Sequence, residues 1–573
     1  MMPAHETYDV IVVGAGGMTA AAVAAAEGLR VLVIEKTAFV GGTTAWSDGM
    51  IWIPANAKMK EAGLSDSVTD AVRYLSNTVP EPANAGLRAA FLARGPEAVV
   101  YLQANTQVRL QPVKACPDYY PERLCATPGG RVLEPVVFDG TQLGAHFARV
   151  RAPLPEFTLF GGMMVNRLDI PHLRRVGKSL RSALRAARLV SEYAWQRLRS
   201  PRGTTLHLGN ALAARLYASL QARQVEILFS ADVEGLSTQG ERVGGVIIRH
   251  GARDRLIAAR RGVVLATGGF SHDATLRKRF LPPAAGFISA AHTSGTGDGL
   301  RLATATGAAL NTDATSPAYW VPASLFRRAD GSRGVFPHTV SDRAKPGVIA
   351  VNAAGRRFVN EALSYHEFVL AMLRDGDGEP DRPFYLICDR PFLWSYGLGR
   401  IKPFTRSVRR YVASGELVEA ADIAQLAAKI GIKPSTLAAT IASYNEGAKE
   451  GRDPEFGRGS TIYQRHLGDA AHKPNPCVAP ILCAPYFAMR IYSADLGTAI
   501  GLKVDAQARV LREDGTPVAG LYACGNDMGS IMNGNCPWPG IALGPALTFG
   551  YIAGRHLAEG SVAAAPIAAT TSV

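Results

Sequence analysis

Cysteine is scarce in this chain and follows no pairing pattern. The 573 residues include seven cysteines, Cys116, Cys125, Cys388, Cys477, Cys483, Cys524 and Cys536. The number is odd and no C-x-x-C pair occurs, so neither a disulfide framework nor a structural zinc site is indicated. A reduced, cytoplasmic location is the expectation, and no metal is called for. Long apolar runs are missing as well. No uninterrupted stretch reaches the roughly 18 residues that mark a membrane span. The start, MMPAHETYDV, has no secretory hydrophobic segment. Charge is thin, 19% of residues against 47% hydrophobic, which argues against disorder and leaves material for a sizeable core. What charge there is leans one way, to a formal +14. That excess suits anionic cofactors, an anionic lipid surface or acidic partners. Nucleic acid is not supported: zinc-finger spacing, RNA-binding signatures and basic–aromatic interleaving are all missing.

What is present is concentrated at the N-terminus, YDVIVVGAGGMTAAAVAAAEGLRVLVIEK from Tyr8 to Lys36. A β-branched run, Val10 to Val13, meets Gly14, Gly16 and Gly17. An alanine-rich helix and a second apolar strand ending at Glu35 follow. This is a βαβ unit built for a dinucleotide. Glycines let backbone approach a pyrophosphate, the helix N-terminus offers free N–H groups, and the acid accepts from ribose hydroxyls. The usual G-x-G-x-x-G spacing is not kept, because Thr19 stands where the third glycine belongs. Aligned on the helix start instead, the turn is two residues short. Two readings follow: a reshaped loop that still binds, which is the expectation, or impaired phosphate binding.

The length suits two large domains, or one domain carrying a large insertion. Residues 60–105 read as helical and 107–165 as loops with short strands. A helix is predicted over Gly209–Leu220, with strands at Val225–Phe229 and Gly244–Arg249. VVLATGGF, ending at Phe270, reads as a buried strand closing in a glycine turn. From about Phe287 to Leu482 the pattern changes, with fewer alternating βα units and more loops. The βα pattern returns with a strand at Gly520–Ala523 and a helix at Ile541–Glu559, and the Ala/Thr-rich tail Ser561–Val573 reads as disordered. The expected fold class is α/β: a Rossmann-like nucleotide-binding domain made of residues 1–286 and 480–573, with an α+β substrate domain, 287–479, inserted between them. Residues 171–200 stand apart. They carry Arg174, Arg175, Lys178, Arg181, Arg185, Arg188, Arg197 and Arg199 against one acid, Glu192, with leucines near helical spacing. Such a helix either lies on an anionic membrane or is a solvated helix packed by its leucine face, the second being the expectation.

Further motifs narrow the cofactor. GGTTAWSDGMIWIP (Gly41 to Pro54), VLATGGF and ACGND (Ala523 to Asp527) resemble the fumarate reductase/succinate dehydrogenase flavoprotein superfamily. Within it, the first of these and NCPWPGIALGPALTFGYIAGRHLA (Asn535 to Ala558) resemble the 3-ketosteroid Δ1-dehydrogenases, over nearly the whole chain. The resemblance implies FAD, held by Gly14, Gly16, Gly17, Glu35, Lys36, Gly42, Thr43, Thr44, Ser47, Gly49, Val233, Ala266, Thr267, Gly268, Gly525, Asn526, Asp527, Ala542 and Leu543. It implies α,β-desaturation of a ring ketone. A base removes the proton beside the carbonyl, hydride leaves the next carbon for flavin N5, and donors hold the carbonyl oxygen. A quinone-like acceptor takes the electrons.

Carried over residue by residue, the base falls on Tyr365, after Gly355-Arg356-Arg357-Phe358-Val359-Asn360-Glu361. Its assistant falls on Tyr119 in Asp118-Tyr119-Tyr120-Pro121-Glu122, with Tyr120 able to take the role instead. The carbonyl donors fall on the N–H of Gly540 and on Cys536, where the family has a tyrosine. A thiol donates weakly, and Trp538, in place of a glycine, is expected to add bulk beside the flavin. A smaller or differently presented substrate follows, or a poor enzyme. Two alternatives stay open: an enone reductase of the fumarate reductase type, with Arg327, Arg328, His338 and His366 as clamp candidates, and a non-catalytic relative.

Overall fold

The computed structural model describes residues 6–79, 84–250, 253–339, 342–376, 379 and 381–560. The tail from Ser561, expected to be disordered, lies outside them. The run Val10 to Val13 closes the strand Glu6–Val13, which pairs in parallel with Val31–Glu35 on one side and Arg253–Leu265 on the other. Val10, Ile11 and Val12 are fully buried, as continuous β-branched runs covered on both faces should be. Outward, Glu226–Phe229 and Pro517–Ala523 extend the parallel sheet, and Arg509–Leu511 adds an antiparallel edge. A hairpin, Asp232–Gln239 with Arg242–His250, pairs along the first half of Arg253–Leu265 and completes eight strands. The two ends of the chain thus share one sheet. Four of its parallel strands run into Gly14, Lys36, Ala266 and Cys524 at the same rim, the carboxyl edge where open α/β sheets bind ligands.

The helices Met18–Ala26 and Leu543–Glu559 pack together over this sheet. A Cβ on Gly554 would stand 2.8 Å from Val23 Cβ, and one on Gly550 would stand 3.1 Å from Thr19 Cβ. The small residues therefore set how close the two helices come.

The inserted α+β stretch holds a second, antiparallel sheet of six strands. Ala318–Arg327 and Tyr486–Thr498 pair at its centre, with Arg333–Pro337, Phe384–Asp389, Val348–Val351 and Val418–Ala420 around them. It has its own apolar core, including Trp320, Phe368, Phe392 and Phe487. Its central pairing joins segments far apart in sequence, so no local turn signal announces it. The boundary drawn at 479/480 also falls short, because Tyr486–Thr498 still belongs to this sheet.

The basic segment forms Ile170–Arg174 and Leu180–Arg197, the latter capped by Ser179. Its leucine face is not the packed one. Leu180 and Leu198 are each 77% exposed, Leu184 63% and Trp195 57%. The helix instead sits down on Ser182, Ala186 and Tyr193. Among the described residues no helix is long and apolar enough to cross a membrane.

Candidate active site

A cavity of about 680 Å³ opens at the carboxyl edge of the parallel sheet and reaches across to the second sheet. The glycine turn is its floor at one end. Gly14 has φ of 91°, a region that only glycine enters freely. A Cβ on Gly14 or on Gly16 would lie 2.5 Å from Ala266 O. A Cβ on Gly17 would lie 2.5 Å from Val12 Cγ1, so Gly17 does the close helix–strand packing that the third glycine of the usual fingerprint serves. The shortened loop becomes a 3-10 turn, Ala15–Gly17, that runs straight into the helix. Thr19 is one turn further on, buried against Gly550. The cradle is reshaped, and the backbone of Gly14, Ala15 and Gly16 still faces the cavity where a pyrophosphate would lie.

Glu35 ends the second strand with its carboxylate engaged on both oxygens. Oε2 accepts from Ala15 N at 3.0 Å and Oε1 from Thr37 N at 2.8 Å. Each oxygen keeps lone-pair capacity for a ribose hydroxyl. Lys36 pairs with Asp298 at 2.7 Å and reaches Thr296 Oγ1 at 2.5 Å. Gly42, Thr43, Thr44, Ser47, Gly49, Val233, Ala266, Thr267, Gly268, Gly525, Asn526, Ala542 and Leu543 also line the cavity. Two residues expected to contact the cofactor stand behind the wall. Gly17 is turned against Val12. Asp527 is fully buried and accepts from Thr267 N at 2.5 Å, Thr267 Oγ1 at 2.9 Å and Gly269 N at 2.9 Å. It holds the ATGG turn in shape from beneath, and burial raises its pKa.

At the other end the two tyrosines meet. Tyr365 opens the helix Tyr365–Asp375, capped by Ser364. The motif before it is a buried ion-pair cluster: Arg357 pairs with Glu361 at 2.9 Å and Asp453 at 2.7 Å, and Arg458 with Glu361 at 3.1 Å. Glu361 also accepts from Ala350 N at 2.9 Å, which ties the segment to the second sheet. Tyr119 comes from the first domain. Asp118 beside it is buried and accepts from Trp52 Nε1 at 2.9 Å and Arg131 at 2.8 Å, and Tyr119 N donates to Pro537 O at 3.1 Å. The rings of Tyr119 and Tyr365 meet edge to face with centroids 6.0 Å apart, and both line the cavity. Tyr120 is used elsewhere: its hydroxyl donates to Glu367 at 2.6 Å. Burial drives both cavity phenols well above the usual range. Each phenol acts on the other, raising Tyr119 and easing Tyr365 downward. Of the pair, Tyr365 is the one eased toward the base role.

Gly540 has φ of 87°, and a Cβ there would lie 2.4 Å from Met50 O. Among the described residues nothing accepts from its N–H, and it lines the cavity. Cys536 and Trp538 behave differently from expectation. Trp538 is fully buried and stacks on Trp52 with ring centroids 3.7 Å apart and planes 8° from parallel. Its bulk goes into the core, where a partner ring was waiting, and not beside the flavin. Cys536 is buried behind the cavity wall with Sγ 3.7 Å from Trp538 O. Burial pushes its thiol up, against the easing effect of Tyr365, and it is not among the residues that line the cavity. The clamp candidates do not assemble at the cavity. His338 pairs with Asp342 at 2.6 Å, Arg328 pairs with Glu156 at 3.3 Å, His366 Nδ1 accepts from Trp320 N at 3.2 Å, and Arg327 is exposed.

Two cavity residues escape sequence reasoning. Asp48, in the TTAWSDG motif, opens onto the cavity, and the protein crowding around its carboxyl raises its pKa. Its charge also raises Tyr365. Its carboxyl was legible as a charge in a cofactor motif. Tyr319, on the strand Ala318–Arg327, lines the cavity as well, and no motif marks it.

The FAD binding domain model matches residues 9–543. The chain is 36% identical over 555 residues to a 4-oxocyclohex-2-ene-1-carboxylate 5-dehydrogenase of Sinomonas cyclohexanicum, covering 96% of this chain and 94% of that one. It is 34% identical over 567 residues to a 3-oxosteroid 1-dehydrogenase of Mycobacterium tuberculosis, covering 97% and 99%. Its structure matches that of the 3-ketosteroid delta1-dehydrogenase from Sterolibacterium denitrificans in complex with 1,4-androstadiene-3,17-dione, with a TM-score of 0.89, 36% identity and coverage of 96% and 99%.

Proposed function

The chain belongs to the FAD binding domain family, and on that premise we propose that Tyr365, Tyr119 and Gly540 desaturate the carbon pair beside a ring ketone. The protein is an FAD-dependent dehydrogenase acting on CH–CH groups. The observation that carries the assignment is the edge-to-face Tyr119–Tyr365 pair facing the same cavity as the glycine turn. Bound FAD supplies the hydride acceptor. Tyr365 takes the proton from the carbon next to the carbonyl, Tyr119 steadies the phenolic oxygen that receives it, and the Gly540 N–H donates to the carbonyl oxygen as it gains negative charge. Tyr365→Phe is expected to lower turnover about 100- to 10,000-fold, the range for a general base, while the protein stays yellow. Full activity in that variant removes Tyr365 from the role.

The substrate we propose is an uncharged, apolar ring ketone of the 3-ketosteroid class. One part of the cavity lining is apolar, built by Pro153, Leu154, Phe157, Met164, Val165 and Ile170. The lining cations, Lys36 and Arg301, are both engaged with Asp298. A substrate carboxylate finds no free partner among the described lining residues. With an artificial electron acceptor, 4-androstene-3,17-dione should exceed 4-oxocyclohexanecarboxylate in kcat/KM by at least about tenfold, one missing apolar contact or stranded charge being worth that much. The reverse order overturns the substrate class. A quinone-like molecule is the acceptor we propose, tested by the rate at which a soluble quinone reoxidises the substrate-reduced enzyme. We propose also that the exposed face of Leu180–Arg197 rests on an anionic lipid surface, supported by Leu180, Leu184, Trp195 and Leu198 standing in solvent among arginines.

A further inference from the structure

The site described above lacks one part. With Cys536 behind the wall, Gly540 N–H is left as the single assigned donor to a carbonyl whose developing charge is usually met by more than one. Tyr319 stands in the cavity with Tyr119, Tyr365 and Gly540, and is itself 6% exposed. Its hydroxyl lies 2.8 Å from Ser530 Oγ. That serine oxygen already accepts from Met532 N at 3.2 Å and Gly534 N at 3.0 Å. A hydroxyl oxygen has two lone pairs and one proton. In the unliganded site the Tyr319 hydroxyl donates to Ser530; because the serine lone pairs are also engaged by the backbone and hydroxyl protons rotate, Ser530 has a proton to give in return once the Tyr319 proton turns to a substrate oxygen. Ser530 is buried and fixed by the turn it closes, so the phenol is oriented from behind. Burial raises the Tyr319 pKa overall, and Ser530 works in the other direction.

We propose that Tyr319 is the second donor to the substrate carbonyl, supplying from the second sheet the phenol that position 536 no longer provides. This rests on the ketone reading above. The group is a hydrogen-bond donor and undergoes no covalent change.

The test uses FAD-loaded protein and Tyr319→Phe, a variant that removes one oxygen atom. Two readouts are taken: kcat on a cyclic ketone, and the affinity for phenolates of graded basicity, measured by perturbation of the flavin absorbance. Phenolates place a planar oxyanion where the ketone oxygen sits. The expected result is a loss of about 100-fold or more in kcat and at least tenfold weaker phenolate binding, with flavin content unchanged. Wild-type values in both overturn the proposal. If wild-type protein turns over no ketone, the ketone reading fails and the phenolate arm alone decides the role of Tyr319. If Tyr319→Phe loses flavin, Ser530→Ala, which keeps the phenol but removes the hydroxyl that orients it, is read in its place. A fivefold or greater weakening of phenolate binding is then expected, and an unchanged affinity overturns the proposal.

Discussion

Charge is what the catalytic end of the cavity controls most closely. Tyr365 is surrounded by groups that oppose its ionisation: the burial itself, Cys536, Tyr463 and Asp48. Tyr119 works in the other direction. With Tyr365 as the proposed base, acting as its phenolate, activity is expected to climb with pH through the Tyr365 pKa. The Asp48 carboxylate raises that pKa, so its removal must lower it. Asp48→Asn is therefore expected to move the rising limb of the kcat/KM profile to lower pH, with the FAD spectrum retained. A limb that stays in place, or moves upward, removes Asp48 from the electrostatics of the base. Single residues were legible here only where a motif carried them. Tyr365 and Tyr119 sit in recognisable segments, and the structure brings both to the cavity. Cys536 and Trp538 sit in one too, but motif alignment says nothing about which way a side chain turns. Trp538 turned inward because Trp52 offered a stacking face. Tyr319 carries no motif, and only the pairing of its strand with Tyr486–Thr498 places it.

At the level of elements, the glycine turn and the helix behind it act as one unit. Met18–Ala26 is held by Leu543–Glu559, whose Gly550 and Gly554 let the two helices approach. Thr19 fills the space over Gly550, while Gly17 keeps the helix start against Val12. Restoring the textual G-x-G-x-x-G by Thr19→Gly should therefore gain nothing. It places glycine in a helix, costing about 1 kcal/mol, and empties a packed contact. The expected outcome is a lower melting temperature and an FAD affinity no tighter than before. Gly17→Ala should do the opposite kind of damage, with a Cβ only 2.5 Å from Val12 Cγ1. Overpacking of that sort costs about 1–3 kcal/mol and shifts the turn, so FAD titration should show at least a tenfold weaker Kd. Tighter FAD binding by Thr19→Gly would show instead that the short loop is a defect. The parallel strands of this unit were readable because each is a buried β-branched run with its turn beside it. The antiparallel sheet was not, since its strands pair across more than a hundred residues of chain.

Over the whole molecule, the apolar surface is not spread evenly. Ile170, Leu180, Leu184, Trp195 and Leu198 are all exposed on one segment. Ile170 is also a wall residue of the cavity, with Leu154, Phe157, Met164 and Val165 nearby. The segment thus supplies one wall residue of the cavity and, a few residues on, an exposed apolar face. An apolar ring ketone partitions into bilayers, so an entrance resting on lipid would draw substrate from where it is concentrated. The arginines between the leucines supply the second attraction, about 1 kcal/mol per basic side chain near an anionic surface. Two attractions of different origin predict two different losses. Flotation with vesicles rich in phosphatidylglycerol should carry the protein upward at low salt. Binding should fall as salt rises, because exposed charges are screened beyond a Debye length of about 8 Å at physiological ionic strength. Leu180→Asp with Leu184→Asp should weaken it at every salt concentration, since the lost term is apolar and not screened. The same variant should keep its activity on a ketone delivered in detergent. Equal flotation of variant and wild type would detach this face from the membrane and leave its exposed leucines to some other surface.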